Sequence, residues 1–298
     1  MIANILLTIL LSSQILLPIN SWQVLGVQTQ TEDYPERIIN NNLDINISAE
    51  SAVAVDVASG KILYQKNQNQ QQPIASITKL MTALVFLDTN PDFEKVIRYS
   101  HLDNSSGENV EFKSGEEIKI KYLFYASLIG SKNNTIKTLV RSSGLSEKKF
   151  VELMNQKSVE LNLTNTNFKD PTGLSEFNVS TAKDVANLLK TVSENKIITD
   201  ILKTSEYTFK TNLAEYKIES TNLLLDNNFF NIQYGKTGYI EEAGWCFTSF
   251  GNVKNNTVKS NDHGAGNIIT VILGSADQYS RFQDTKNLYW WTGQNFKF

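Results

Sequence analysis

Histidine and cysteine are nearly absent from this 298-residue chain, with two of the first and one of the second. A single cysteine, Cys246, excludes an internal disulfide, and its place between Trp245 and Phe247 suits a small core residue. His101 and His263 lie far apart in polar surroundings. So few ligands of the usual kinds predict no zinc site, and a Ser-His-Asp triad is poorly supplied. A basic excess is missing too. Lys and Arg number 28 against 31 Asp and Glu, and a formal net charge of −3 argues against nucleic acid as a partner. Hydrophobic residues at 41% and charged residues at 20% are ordinary for a folded soluble protein, and no internal repeat is visible. The chemistry must therefore draw on Ser, Thr, Lys, Asn and carboxylates, with no cofactor and no metal.

Long apolar runs are confined to one place. Ile2–Leu17 is broken only by Asn4, Thr8, Ser12, Ser13 and Gln14, and it stops at Pro18. That length suits a signal-peptide core, with cleavage near Val24-Leu25-Gly26. No Lys or Arg precedes the run, so an uncleaved N-terminal anchor is the alternative. The expected organisation is a signal peptide or anchor over residues 1–26, a polar linker over 27–46 and a catalytic domain over 47–298. Either form exports the rest of the chain to the cell envelope or periplasm. Membrane contact is then expected only through the N-terminal segment, if uncleaved.

Within the domain, Ala52–Val57 and Lys61–Gln65 around Ser59-Gly60 predict a hairpin. Apolar residues at helical spacing predict helices over Ile77–Leu87, Tyr122–Ile129, Ile136–Val140 and Glu147–Leu161. A further helix runs to Leu189 from a cap at Ser180, and a last one covers about Arg281–Trp291. Strand patterns occupy Tyr207–Lys210, Tyr216–Glu219, Ile232–Lys236, Trp245–Phe250 and Ile268–Leu273. Strands at both ends of a helical middle predict an α/β (α+β) domain. Its antiparallel sheet of about five strands is formed from both ends, with a helical part beside it. The polar segment Asn252–Gly266 reads as a long exposed loop without an assigned role.

The spacing Ser-x-x-Lys occurs four times, from Ser76, Ser146, Ser180 and Ser193. Ser146 and Ser180 sit where helix caps are needed, and Ser193 falls in a polar tail. Ser76 instead follows the extended Pro73-Ile74-Ala75 and opens a helix apolar enough to be buried. A serine and a lysine three apart on a helix have Cβ atoms about 5–6 Å apart, close enough for direct proton transfer. A free lysine, with pKa of about 10.4, is a poor base at pH 7, but burial and a second cation lower that value. Two more motifs single this pair out. Ser131-Lys132-Asn133 lies on a helix break, where a hydroxyl and an amide can project into a cleft. Lys236-Thr237-Gly238 ends a strand, offering fixed charge, a hydroxyl and close backbone approach. The order Ser-x-x-Lys, Ser-x-Asn, Lys-Thr-Gly, at gaps of 55 and 105 residues, is far more specific than any member alone.

From about Ser51 to Trp291 the chain resembles the low-molecular-mass penicillin-binding proteins, the serine-type D-alanyl-D-alanine carboxypeptidases. The likeness extends over Ala75–Ala83, Ser180-Thr181-Ala182-Lys183-Asp184, Thr221–Leu225 and Gly235–Cys246. It implies a β-lactamase/transpeptidase-like fold and removal of the terminal D-alanine from peptidoglycan stem peptides ending in D-Ala-D-Ala. β-Lactams are then covalent inhibitors. By the same resemblance Ser76 is acylated with Lys79 as its base, and Ser131 relays a proton to the leaving D-alanine. Asn133 holds the substrate amide, while Lys236 and Thr237 receive the carboxylate. Gly238 brings the strand close, and the N–H groups of Ser76 and Tyr239 form the oxyanion hole. Two departures stand out: Asn134 replaces the family's Asp after the Ser-x-Asn asparagine, and Asp170-Pro171-Thr172-Gly173-Leu174 replaces Asn-Pro-His-Gly-Leu. The rival readings are a class A-like β-lactamase, a D,D-endopeptidase and a cell-wall-binding module without turnover. The first lacks its Glu-x-x-Leu-Asn between Ser131 and Lys236, where Glu176-Phe177-Asn178 is a partial likeness.

Overall fold

A computed structural model describes residues 35–39, 44–104, 112–225, 230–254 and 265–298. The Ile2–Leu17 run, His263 and most of the Asn252–Gly266 segment lie outside these residues. Strand β1, Ser51–Asp56, is buried along almost its whole length, because neighbours cover both its edges and both its faces. It pairs with β2, Ile62–Lys66, through the expected hairpin. Near the other end of the chain, β5 (Asn231–Ile240), β6 (Gly244–Lys254) and β7 (Ala265–Ser275) form an antiparallel meander. Pairing of β7 with β1, from Ile268 opposite Asp56 to Leu273 opposite Ser51, joins the two ends. The result is the expected five-stranded antiparallel sheet formed from both ends, and its order is β5-β6-β7-β1-β2.

Alternation along these strands divides the core in two. Val53, Cys246, Ile269, Val271 and Leu273 face the helical layer. Ala54, Phe247 and Ile268 face the other way, onto Phe282, Tyr289 and Trp291 of the last helix, α7 (Ser280–Asn295). Helix α1, Thr78–Asp88, is buried from Thr78 through Ala83 and again at Val85 and Phe86. Most of its residues are apolar, as suits a central helix, and its buried polar residues Thr78, Lys79 and Thr82 are hydrogen-bonded. Around it lie α2 (Ile120–Ile129), α3 (Asn133–Ser142), α4 (Glu147–Glu160), α5 (Ala182–Ser193) and the short α6 (Lys196–Leu202).

Local differences from the expected pattern have physical causes. Thr181, not Ser180, caps α5 by accepting the Asp184 N–H, while Ser180 Oγ is engaged with Thr166 Oγ1 at 2.7 Å. Helix α5 also runs on to Ser193, which is its last residue rather than part of a tail. Ser76 lies in a 3-10 turn, Ala75–Ile77, just ahead of α1. The strands Glu206–Lys210 (β3) and Glu215–Glu219 (β4) form their own two-stranded sheet. Tyr207 and Phe209 of that hairpin pack on Tyr122 of α2. Outside the main sheet, Glu36 and Arg37 pair with Lys297 and Phe296. Among the described residues no helix is long and apolar enough to cross a membrane.

Candidate active site

Three backbone segments converge on the turn that carries Ser76. Ala75, the residue before it, adopts a left-handed φ of 47°, and Ser131 on the facing loop does the same at 59°. Non-glycine residues held there cost on the order of 1–3 kcal/mol each and persist only where surrounding contacts enforce them. Gly173 supplies one such contact. Its φ is 90°, and a Cβ added to it would lie 2.1 Å from the Ala75 carbonyl oxygen. Gly238 on β5 supplies another, since a Cβ there would meet Ile74 O at 2.9 Å and Ser76 N at 3.0 Å. Both glycines are required because backbone presses directly on the serine turn.

The Asp170–Ser175 loop is built to bring Gly173 to that place. One Asp170 carboxylate oxygen accepts from the backbone N–H groups of Thr172 and Gly173, and the other accepts from Ser175 N. Asn178, wholly buried, accepts from Lys169 N and Asp170 N and donates to Asp170 O and to Thr78 Oγ1 beside the serine. Thr82 on α1 donates to Pro171 O at 2.6 Å. Local Asx-type bonds thus set the loop, and α1 anchors it.

Lys79 is fully buried. Its Nζ contacts Ser76 Oγ at 2.6 Å, Asn133 Oδ1 at 2.6 Å and Thr172 O at 2.8 Å. Asn133 is the first residue of α3, so the positive end of that helix faces the same cleft. Across the cleft Lys236 Nζ contacts Ser131 Oγ at 2.7 Å and Thr237 O at 3.0 Å. Burial, then the charges of Lys79 and Arg281, hold Lys236 well below the ordinary lysine range. Thr237 and Thr221 share a hydroxyl–hydroxyl bond of 2.5 Å. A neutral Nζ at the Lys79 position can accept the Ser76 proton directly, and Lys236–Ser131 offers a second proton route on the far side.

All eight residues singled out in the sequence, Ser76, Lys79, Ser131, Asn133, Lys236, Thr237, Gly238 and Tyr239, lie in or beside this cleft. Arg281 is a member the motifs do not reveal. It is nearly buried in the first turn of α7, and Nη1 donates to Gly238 O at 3.1 Å and Cys246 O at 3.4 Å. Burial lowers its pKa to about 10. A cation in the first turn of a helix is electrostatically disfavoured, which is the one sequence signal that could have flagged it. Cys246 is buried with its thiol pushed up to about 11, and His101 sits exposed on a separate 3-10 turn. Glu176 is exposed, and Asn178 is a structural member of the loop. Among the described residues no group of three His, Cys, Asp or Glu is placed to hold a metal ion.

A serine–lysine pair at the head of a buried helix, beside the edge strand of this sheet, defines the penicillin-binding class of α/β fold. Residues 37–274 match the D-alanyl-D-alanine carboxypeptidase family, and the chain belongs to that family of low-molecular-mass serine peptidases. It is similar to the D-alanyl-D-alanine endopeptidase of Pseudomonas aeruginosa, with 31% identity over 276 residues covering 91% of this chain and 86% of the relative. It is also similar to the D-alanyl-D-alanine carboxypeptidase DacF of Bacillus subtilis, with 34% identity over 209 residues, 67% of this chain and 53% of the relative. Among solved structures, penicillin-binding protein D2 of Listeria monocytogenes in its ampicillin-bound form superposes with a TM-score of 0.70 at 27% identity. That match covers 85% of this chain and 99% of the other.

Proposed function

We propose that the chain removes the terminal D-alanine from peptidoglycan stem peptides ending in D-Ala-D-Ala, by way of an acyl-enzyme at Ser76. The observation that carries this reading is the contact of buried Lys79 Nζ with both Ser76 Oγ and Asn133 Oδ1, at 2.6 Å each. Lys79 takes the Ser76 proton as Oγ attacks the scissile carbonyl. The oxyanion collects on the N–H groups of Ser76 and Tyr239, a stabilisation of roughly 3–4 kcal/mol per donor in comparable sites. Ser131, bonded to Lys236, relays that proton to the departing amine without net change of its own, and the acyl–oxygen ester remains. Water then releases the acyl group and returns the proton to Ser76. Lys236 and Thr237 hold the terminal carboxylate, Asn133 the donor amide, and Gly238 lets the strand approach.

A D,D-endopeptidase is the second reading, favoured by the names of relatives at 31% and 30% identity. Its chemistry at Ser76 is the same, and only the leaving amine is larger. β-Lactams enter as covalent inhibitors, a reading supported by the ampicillin-bound relative. The proposal includes export, with residues 1–26 as signal peptide or anchor, 27–46 as linker and 47–298 as the catalytic domain. Intact-protein mass spectrometry with penicillin tests the nucleophile: a lasting penicilloyl adduct is expected, and Ser76→Ala removes it. Release of D-alanine from a D-Ala-D-Ala peptide tests turnover, and cleavage of cross-linked dimers without such release makes the endopeptidase the correct reading. An adduct with neither activity points to a binding module, and rapid penicillin hydrolysis to a lactamase.

A further inference from the structure

Helix α3 carries Asn133 into the cleft, yet the residue before it cannot cap the turn it opens. Lys132 stands at the N-cap, and an ammonium has no acceptor to offer the orphan N–H groups of a helix start. Helices α4, α5 and α6 begin after Ser146, Thr181 and Asn195, each of which accepts an N–H. The restraint on α3 comes from one side instead. Asn134, Thr138 and Arg141 fall at i, i+4 and i+7, along a single face of the helix. All three meet the segment 99–104. Thr138 Oγ1 donates to Asp103 Oδ2 at 3.0 Å, and Arg141 Nη2 donates to the same oxygen at 2.7 Å. Asn134, 3% exposed, donates through Nδ2 to the Tyr99 hydroxyl at 3.2 Å, and that hydroxyl donates to Asn104 Oδ1 at 2.5 Å. Tyr99 is itself a fixed post. Its N–H donates to Glu116 O and its carbonyl accepts from Gly115 N, at 2.8 Å each, while its ring packs edge-on against Phe112.

The near end of this strap bears on the chemistry. Successive side chains on a helix point about 100° apart, so Asn133 projects roughly a quarter turn away from Asn134. Atoms at the end of a side chain lie roughly 5–6 Å from the helix axis, and a rotation of about 20° carries them about 2 Å. Asn133 Oδ1 lies 2.6 Å from Lys79 Nζ, so a rotation of that size breaks the contact. Buried Ile136, Leu139 and Val140 hold α3 against the core, but apolar contact is non-directional and tolerates a small turn. A hydrogen bond to a fixed post does not. We propose that Tyr99 is a positioning residue for Asn133. Its hydroxyl, acting through Asn134, sets the rotation of α3 and so holds the Asn133 amide where it meets both Lys79 and the amide of the substrate. This inference rests on the acyl-enzyme reading of Ser76 and on the amide contact proposed for Asn133.

The test is the rate of Ser76 acylation by two penams, followed by intact-protein mass. Benzylpenicillin carries a side-chain amide for Asn133 to hold, and 6-aminopenicillanic acid has a free amine in its place. The native protein should take benzylpenicillin faster, and Tyr99→Phe should cut that preference about fivefold, the scale of one hydrogen bond. General damage lowers both rates together and leaves their ratio alone. Thr138→Val loosens the far end of the strap, so it should lower the urea midpoint but keep the ratio within about twofold of native. Asn134→Ala should match Tyr99→Phe, and the double variant should be no worse than the more affected single, because all three lose the same bond. An unchanged ratio in Tyr99→Phe overturns the positioning role. So does an equal fall in Thr138→Val, because α3 then responds as a whole, and so does a double variant whose loss is the product of the two singles. A native protein without preference overturns it as well, since Tyr99 then has no amide contact to set. Should Tyr99→Phe not fold, Asn134→Ala is read by the same ratio. If benzylpenicillin leaves native Ser76 unmodified, the acyl-enzyme reading falls and takes this role with it. Acylation with an unmoved ratio removes only the role of Tyr99.

Discussion

The lysines of the cleft and those of the outer hairpin are the same residue under opposite rules. On the β3–β4 hairpin Lys210 reaches Glu215 and Lys217 reaches Glu206, each at 2.8 Å. The hydrogen bond and charge of each partner raise both lysines above their ordinary value. In the cleft the partners described for Lys79, Lys236 and Arg281 are neutral oxygens of hydroxyls, a side-chain amide and backbone carbonyls. Lys236 is driven down by burial and by the other two cations. Gathering positive charge out of water opposes folding. It is useful only where something negative arrives later, such as a carboxylate or a developing oxyanion. The hairpin lysines are matched within the fold, whereas under the proposed function the cleft lysines are matched only when a ligand arrives.

Removing the cleft lysine nearest the nucleophile should break that contrast most visibly. Lys79→Ala takes away the one amine in reach of Ser76 Oγ among its described contacts. The expected loss in acylation rate by penicillin is about 10²–10⁴-fold, the usual contribution of a positioned base. Stopped-flow or mass-resolved acylation kinetics measure it. A loss under tenfold would mean that the proton leaves by another route. The backbone side of the cleft is nearly as exacting. Gly173→Ala forces a Cβ onto the Ala75 carbonyl at a φ of 90°. It should destabilise the protein by about 3 kcal/mol, through named strain rather than lost burial. Urea unfolding gives the stability change, and slowed penicillin acylation reports displacement of the Ser76 turn.

Much of this was legible in the sequence, for reasons that differ by element. The strands β1 and β7 and the mostly apolar α1 could be read because their apolar residues recur in runs that leave few alternatives. Lys79 and Ser76 could be singled out because three weak motifs occur in one order. The sequence could not tell Ser180 from Thr181 as a cap, since both residue types accept an N–H and only tertiary contacts choose. Helix α6 was missed because seven residues carry too little periodicity to be seen. Arg281 and the Tyr239–Trp245 stack stayed hidden because their roles depend on β6 and α7 meeting behind β5. Local pattern carries no information of that kind.

The contrast sharpens further when pH is varied. Lys236→Met removes a buried amine that folding holds below its ordinary pKa. For such a group the unfolded chain binds more protons than the folded one between the folded value and about 10.4. Its cost to stability is therefore full below the folded value and fades as pH rises toward the unfolded one. Lys236→Met should be more stable than the native protein at pH 7, on the order of 1–2 kcal/mol net of its lost hydrogen bonds. That advantage should shrink toward pH 10, while D-alanine release is crippled throughout. Paired urea melts at the two pH values decide it. A native protein that is the more stable of the two at pH 7 would show that Lys236 is held by favourable partners after all.

The same experiment on Lys217 carries the opposite sign and the smallest effect. Its pKa is raised, with the bond to Glu206 as the first cause, so any stability it adds is present below the unfolded value of about 10.4. That contribution is lost as pH climbs through the higher folded value. Both side chains are more than half exposed, so solvent and salt screen the pair. Lys217→Met should leave the urea midpoint at pH 7 within measurement error, and D-alanine release unchanged. Half-molar salt should move native and variant midpoints in parallel. A clear loss of stability confined to low salt would mean that the Lys217 bridges to Glu206 and Glu219 act as a network. The division between lysines matched within the fold and lysines that await a ligand would then be one of strength as well as of sign.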